Sequence, residues 1–136
     1  MKKPEDVKEF YEFLIQSGIS PDKAKVIASV AAHETANFSS ELYRKHSNCF
    51  GFRIPKTWSG RRAYDTKNNY SGYINFVDSV NDYIDWCNRY VGGVNESPTI
   101  HVENMKRKGY FEDTLSNYLK GVSYWFKQLG NENSSN

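Results

Sequence analysis

The chain has 136 residues, 25 % of them charged, and a formal net charge of +2. That length is enough for one real hydrophobic core and too short for two ordinary domains. So small a net charge does not argue for nucleic acid, and two cysteines, Cys49 and Cys87, without CxxC spacing suggest neither a disulfide framework nor a zinc site.

The start, "MKKPEDVKEFYEF", lacks the apolar run of a secretion signal, and no later segment approaches a membrane span. The expectation is a soluble chain made in the cytosol, monomeric and without membrane insertion. The first helix is predicted from Pro4 to Gln16, with Gly18 just past its end and an apolar stripe of Val7, Phe10, Tyr11, Phe13 and Leu14. "ISPDKAKVIASVAAHET" opens the second: Ser20 is the N-cap, Pro21 takes the first turn, and Asp22 suits the positive dipole end. A third, short helix starts at Ser39 or Ser40. From Asn48 to Phe76 the helical pattern stops, and glycines, a proline and an "NN" turn signal predict an irregular lobe with one short hairpin.

"DSVNDYIDWCNRYV" returns to helix, with Val80, Tyr83, Ile84 and Cys87 on one face. Two further helices follow, "TIHVENMKRKG" and "DTLSNYLKGVSYWFKQL", parted by Gly109 and Tyr110. The fold class is mainly α (α+β), with residues 1–130 expected as one domain and 131–136 as a polar, flexible tail.

On the second helix, Ile27, Val30, Ala31 and Glu34 fall at i, i+3, i+4 and i+7, so a carboxylate ends a core-facing stripe. Two readings are open. Glu34 bends out to solvent where the helix frays, or it stays partly buried at the negative end of the dipole. The second would favour its protonated form, which a general acid requires. Asn37, Asn48 and Gly51 follow closely and suit the lining of a cleft.

The stretch "AAHETANFSSELYRKHSNCFGFR" resembles the N-terminal half of the glucosaminidase domains of glycoside hydrolase family 73, the flagellar muramidase-like group. The matching residues are Glu34-Thr35 and Asn48-Cys49-Phe50-Gly51-Phe52. "YSGYINFVDSVNDYIDW" resembles the family's aromatic strand and following helix, and "KRKGYFEDTLSNYLKGV" its Gly-Tyr-x-x-Asp segment, through Gly109-Tyr110, Asp113 and Tyr118. The resemblance implies a lysozyme-like fold that binds peptidoglycan glycan strands between a helical and a β-containing lobe, with no metal or organic cofactor. It makes Glu34 the general acid, and places Tyr110 facing it; a core aromatic between helices is the other reading of Tyr110. Phe50 and Gly51 then border the groove beside Asn37 and Asn48, and Trp58, Tyr70 and Tyr73, with Tyr64, are candidates for sugar stacking.

The chain departs from the family in two places. The family usually has a glycine and an aromatic soon after Glu-Thr, whereas Ala36-Asn37-Phe38 keeps only the aromatic character, and the β-lobe has no glutamate; before Asp78, Asp65 is its only carboxylate. Asp65 either activates water in an inverting mechanism, with the carboxyls about 6.5–9.5 Å apart, or is a turn residue in "AYDTKNN". If it is idle, the substrate's N-acetyl group serves as nucleophile, or the enzyme is a single-glutamate transglycosylase. His33, His46 and His101 show no zinc-amidase spacing, and Cys49 with His101 is the alternative of a thiol peptidase. The expected function is an endo-β-N-acetylglucosaminidase-type peptidoglycan hydrolase, possessed of no recognisable wall-binding module and suited to phage lysis or a virion. A muramidase, a lytic transglycosylase or a non-catalytic peptidoglycan-binding module are the alternatives.

Overall fold

A computed structural model describes residues 2–54 and 62–134, with side chains as far as 130. Trp58 lies outside the described residues. The helices are α1 (Val7–Gln16), α2 (Pro21–Glu34), α3 (Glu41–His46), α4 (Phe76–Tyr90), α5 (Pro98–Arg107) and α6 (Leu115–Ser134). A hairpin of β1 (Ala63–Asp65) and β2 (Ser71–Tyr73) stands between α3 and α4. The architecture is mainly α and lysozyme-like, a helical lobe with a small antiparallel hairpin beside it.

Capping chemistry sets most helix starts. α1 begins later than the predicted Pro4 because the Asp6 carboxylate accepts from the Glu9 N–H and caps the helix there. Ser40, Asn75 and Ser97 do the same for α3, α4 and α5. Pro21 opens α2 as expected, although the Ser20 side chain makes no capping bond. α6 runs on to Ser134, past the end of its apolar pattern, so residues 131–134 are helical.

α2 is the central element and packs against α1 and α6. Ile27, Val30 and Ala31 are buried as the periodicity predicts, yet Ala24, Val26, Ala28 and Ala32 are buried too. Small residues let neighbours close in from several sides, so the helix buries far more than a stripe. Phe10 and Leu14 of α1, Tyr83 and Cys87 of α4, Val102 and Met105 of α5, and Tyr118 and Val122 of α6 complete the core. Ile84 is only half-buried, packed at the core's edge.

The hairpin pairs Ala63 with Tyr73, Tyr64 with Gly72 and Asp65 with Ser71. Its base is tied to α4 through buried Asp82, which accepts from the Tyr73 hydroxyl at 2.9 Å and from Arg62 at 2.9 Å. Arg62 also reaches Asp85 at 2.8 Å. A buried carboxylate needs such partners, and here they fix the lobe's position on the helical body.

Candidate active site

A cleft of about 670 Å³ opens where the last turn of α2, the segment 50–53, Tyr70 and the 109–113 segment before α6 come together. Glu34 stands in it. The carboxyl does not bend away to solvent: the Tyr118 hydroxyl of α6 donates to Oε2 at 2.5 Å. On the other side the backbone of Gly51 closes in, and a Cβ there would lie 2.8 Å from Oε1. Gly51 is therefore required twice, for that approach and for its φ of +72°. Withdrawal from water pushes the Glu34 carboxyl up to about 6, and the Tyr118 hydrogen bond, which favours the carboxylate, offsets part of the rise.

Asn48 builds the loop that presents Gly51. Its Oδ1 accepts from the N–H groups of Phe50, Gly51 and Phe52 at 3.2, 2.9 and 3.3 Å. Its Nδ2 donates to the Phe52 and Ser71 carbonyls at 2.9 and 2.8 Å. With this amide buried and committed to backbone, Asn48 organises the cleft rather than reaching into it. Phe50 borders the cleft, but its ring is buried and stacked on Tyr83 at 4.1 Å. Tyr110 also borders the cleft and donates to the Phe50 carbonyl at 2.6 Å, locking the 48–52 loop to the segment before α6.

Other expected site residues lie elsewhere. Asn37 accepts from the Val7 N–H at 3.0 Å and ties the end of α2 to α1. Tyr73 is buried against Asp82, so its ring face is not available for stacking on a sugar. Asp65 is exposed, and its carboxylate accepts from the Lys67 N–H at 2.6 Å, which is the turn role; it does not border the cleft. Tyr64 lies over Gly72 and pairs with His46 at 2.8 Å. Tyr70 does border the cleft, with the Arg53 guanidinium over its ring.

The three histidines stand in three separate places. His46 is on the hairpin side, while His101 is buried between Tyr83 and the Asn95 N–H. His33 borders the cleft with its ring edge-on to Tyr118, centroids 4.4 Å apart. Cys49 is buried, with its thiol pushed up to about 12 by desolvation, and the sulfur near His101 belongs to Cys87 instead. A buried thiol so reluctant to ionise is no nucleophile.

Sequence reasoning matched Tyr118 to the family but did not place it on the glutamate. One signal was available: Gly121, a helix-interior glycine that costs about 1 kcal/mol relative to alanine. A Cβ there would stand 2.2 Å from His33 Nδ1, so glycine admits the imidazole that packs on Tyr118. Phe111 closes the other face of Tyr118, stacked at 3.7 Å. Lys106 holds the Phe111 segment by donating to the carbonyls of Phe111, Glu112 and Asp113 at 3.3, 3.3 and 2.8 Å. The tyrosine, and through it the carboxyl, is thus held from both sides.

A carboxyl that titrates near 6 keeps its proton in mildly acidic surroundings and can pass it to an oxygen held in the cleft. No curated protein and no solved structure matches the chain. The family model described as mannosyl-glycoprotein endo-beta-N-acetylglucosaminidase matches residues 7–131. That match spans nearly all the elements that build the cleft, and the chain belongs to this glucosaminidase family, as a glycosidase of the endo-β-N-acetylglucosaminidase type.

Proposed function

We propose that the protein cuts the β-1,4 glycan backbone of bacterial peptidoglycan, with Glu34 as the general acid. The observation that carries this reading is the Glu34 carboxyl itself, raised to about 6 and held between Tyr118 and Gly51 at the edge of an open cleft. Glu34 gives its proton to the glycosidic oxygen as the bond breaks, and positive charge develops on the sugar. Among the described residues, Tyr70 and Arg53 border the cleft from the β-lobe side, whereas Asp65 does not and accepts from the Lys67 N–H in its own turn. The substrate's 2-acetamido oxygen therefore serves as the nucleophile, closing on the anomeric carbon before water opens the intermediate. Tyr110, fixed on the Phe50 carbonyl, keeps the glycan's approach to Glu34 in register. A role in wall lysis, by a phage or by the producing cell, belongs to the same reading.

The test is mass spectrometry of purified peptidoglycan after digestion by the wild type and by Glu34→Gln. Fragments ending in reducing N-acetylglucosamine are expected, with the rate falling about a thousandfold in the variant. Anhydro ends would mean a transglycosylase, and reducing N-acetylmuramic acid a muramidase. Glycan bound but left intact by the wild type would leave only a binding module.

A further inference from the structure

The cleft at Glu34 does not end at the hairpin. A second cleft, of about 480 Å³, lies between α3 and the turn joining β1 to β2, and Leu42 and Tyr70 border both. At this junction the Arg53 guanidinium sits 5.3 Å from the centroid of the Tyr70 ring. The backbone beneath it is fixed: Arg53 forms a β-bridge with Tyr70, and its carbonyl accepts from the Ser71 hydroxyl at 3.2 Å. Among the described residues Arg53 makes no ion pair, and no other Lys or Arg borders the first cleft.

Charge is distributed unevenly across the two clefts. Glu34, Glu112 and Asp113 stand on the helical side of the first. Arg53 stands on the hairpin side, and beyond it Lys67 borders the second cleft. Glu41 also borders the second cleft, but Lys45 pairs with it at 2.6 Å and offsets its charge. An anionic group attached to a glycan over Glu34 is repelled from the helical side and drawn toward Arg53. A guanidinium backed by an aromatic ring is well suited to a carboxylate, which it can grip with two parallel hydrogen bonds. Past it, the amides of Asn68 and Asn69 offer both donors and acceptors, as a peptide backbone requires.

We propose that the second cleft, entered past Arg53 and Tyr70, binds the carboxylate-bearing peptide carried by the glycan whose backbone lies over Glu34. The inference rests on the peptidoglycan reading and deepens it: the enzyme prefers glycan that still carries its peptides. Lys67 has a φ of +69° and its N–H donates to Asp65, so this carboxylate shapes the turn that borders the peptide site.

The test compares, by calorimetry at low salt, binding of a peptide-bearing N-acetylglucosaminyl-N-acetylmuramyl disaccharide and of an uncharged N-acetylglucosamine oligomer. The proteins are the wild type and Arg53→Gln/Lys67→Gly, in which glycine accepts the left-handed backbone at 67. The wild type is expected to bind the peptide-bearing sugar about tenfold more tightly, as a charge-assisted contact allows. The double variant, with an unchanged melting temperature, should lose that advantage. Equal affinities in the wild type, or an advantage that survives in the variant, would overturn the inference while leaving glycan cleavage in place. If the wild type bound neither sugar and released no ends from peptidoglycan, the underlying reading would fall with it.

Discussion

Glu34 and Tyr118 form a pair in which one hydroxyl tunes one proton. Desolvation raises the carboxyl, and the tyrosine lowers it part of the way back, to about 6. A general acid works while it is protonated, so kcat/KM is expected to fall as pH rises through about 6. Tyr118→Phe removes the bond that favours the carboxylate, so this falling limb should move to higher pH. A pH–rate profile of the two proteins on one glycan substrate checks it. A limb that stayed in place would mean that another group governs the rate. The glutamate was legible from its place at the end of an apolar stripe, because helical periodicity is a local property. Its contact with Tyr118 was not, since the two residues are 84 positions apart and only packing of α6 on α2 brings them together.

At the scale of elements, the turn that ends α2 bears on the site directly. Ala36, Asn37 and Phe38 all have left-handed backbone, with φ of 50°, 55° and 66°. A non-glycine residue there costs on the order of 1–2 kcal/mol. The turn is held by the Thr35 hydroxyl, which donates to the Ala31 carbonyl at 2.7 Å and accepts from the Phe38 N–H at 2.8 Å. Phe38 is buried against Phe10 and Tyr43, which repays part of the strain. Ala36 is exposed and gains nothing comparable. Ala36→Gly is therefore expected to stabilise the protein by about 1 kcal/mol. Denaturant unfolding measures this, and a loss of stability would show that the unfolded chain's extra freedom outweighs the relieved strain. The lack of a glycine in Ala36-Asn37-Phe38, soon after Glu34-Thr35, made a departure visible in sequence. That the chain keeps a strained turn anyway emerged only from the backbone.

Across the whole molecule, two buried groups pull stability in opposite directions with pH. His101 is lowered from 6.5 to about 4 by burial. The unfolded chain binds more protons between those values, so its contribution is complete above about 6.5 and lost as pH falls through about 4. Glu34 is raised from 4.5 to about 6, so its contribution is present below 4.5 and lost as pH rises through about 6. At about 1.4 kcal/mol per pKa unit, ionised Glu34 costs roughly 2 kcal/mol at pH 7, while a buried His101 costs about 3 kcal/mol at pH 4. Glu34→Gln should thus raise stability at pH 7 and give little gain near pH 4, exposing a steeper acid loss governed by His101. Thermal unfolding of both proteins at the two pH values decides it; an equal increment at both would mean that Glu34 has an ordinary carboxyl. A site that weakens the fold at neutral pH is what a functional carboxyl held out of water entails.

The helices, their apolar faces and the glutamate that interrupts one of them were legible in the residues alone, whereas most of the caps, Asp6, Asn75 and Ser97, were not singled out. Each of the former depends on residues within a turn or two of one another, so periodicity reveals them. The sequence also determined the hairpin as a type, through turn residues between short aromatic runs. Which polar side chains meet came from packing alone. Asn48 and Tyr73 were plausible groove residues until burial committed their polar atoms to the Phe50–Phe52 backbone and to Asp82. For Asp65 the sequence left water activation and a turn role open, and in the fold its carboxylate accepts from the Lys67 N–H without bordering the cleft. Arg53 gave no sign in the sequence, because its place over the Tyr70 ring at the border of the cleft comes from pairing between distant segments. A side chain's chemistry is written in its residue type, but whether that chemistry faces protein or substrate is settled by packing between segments far apart in the chain.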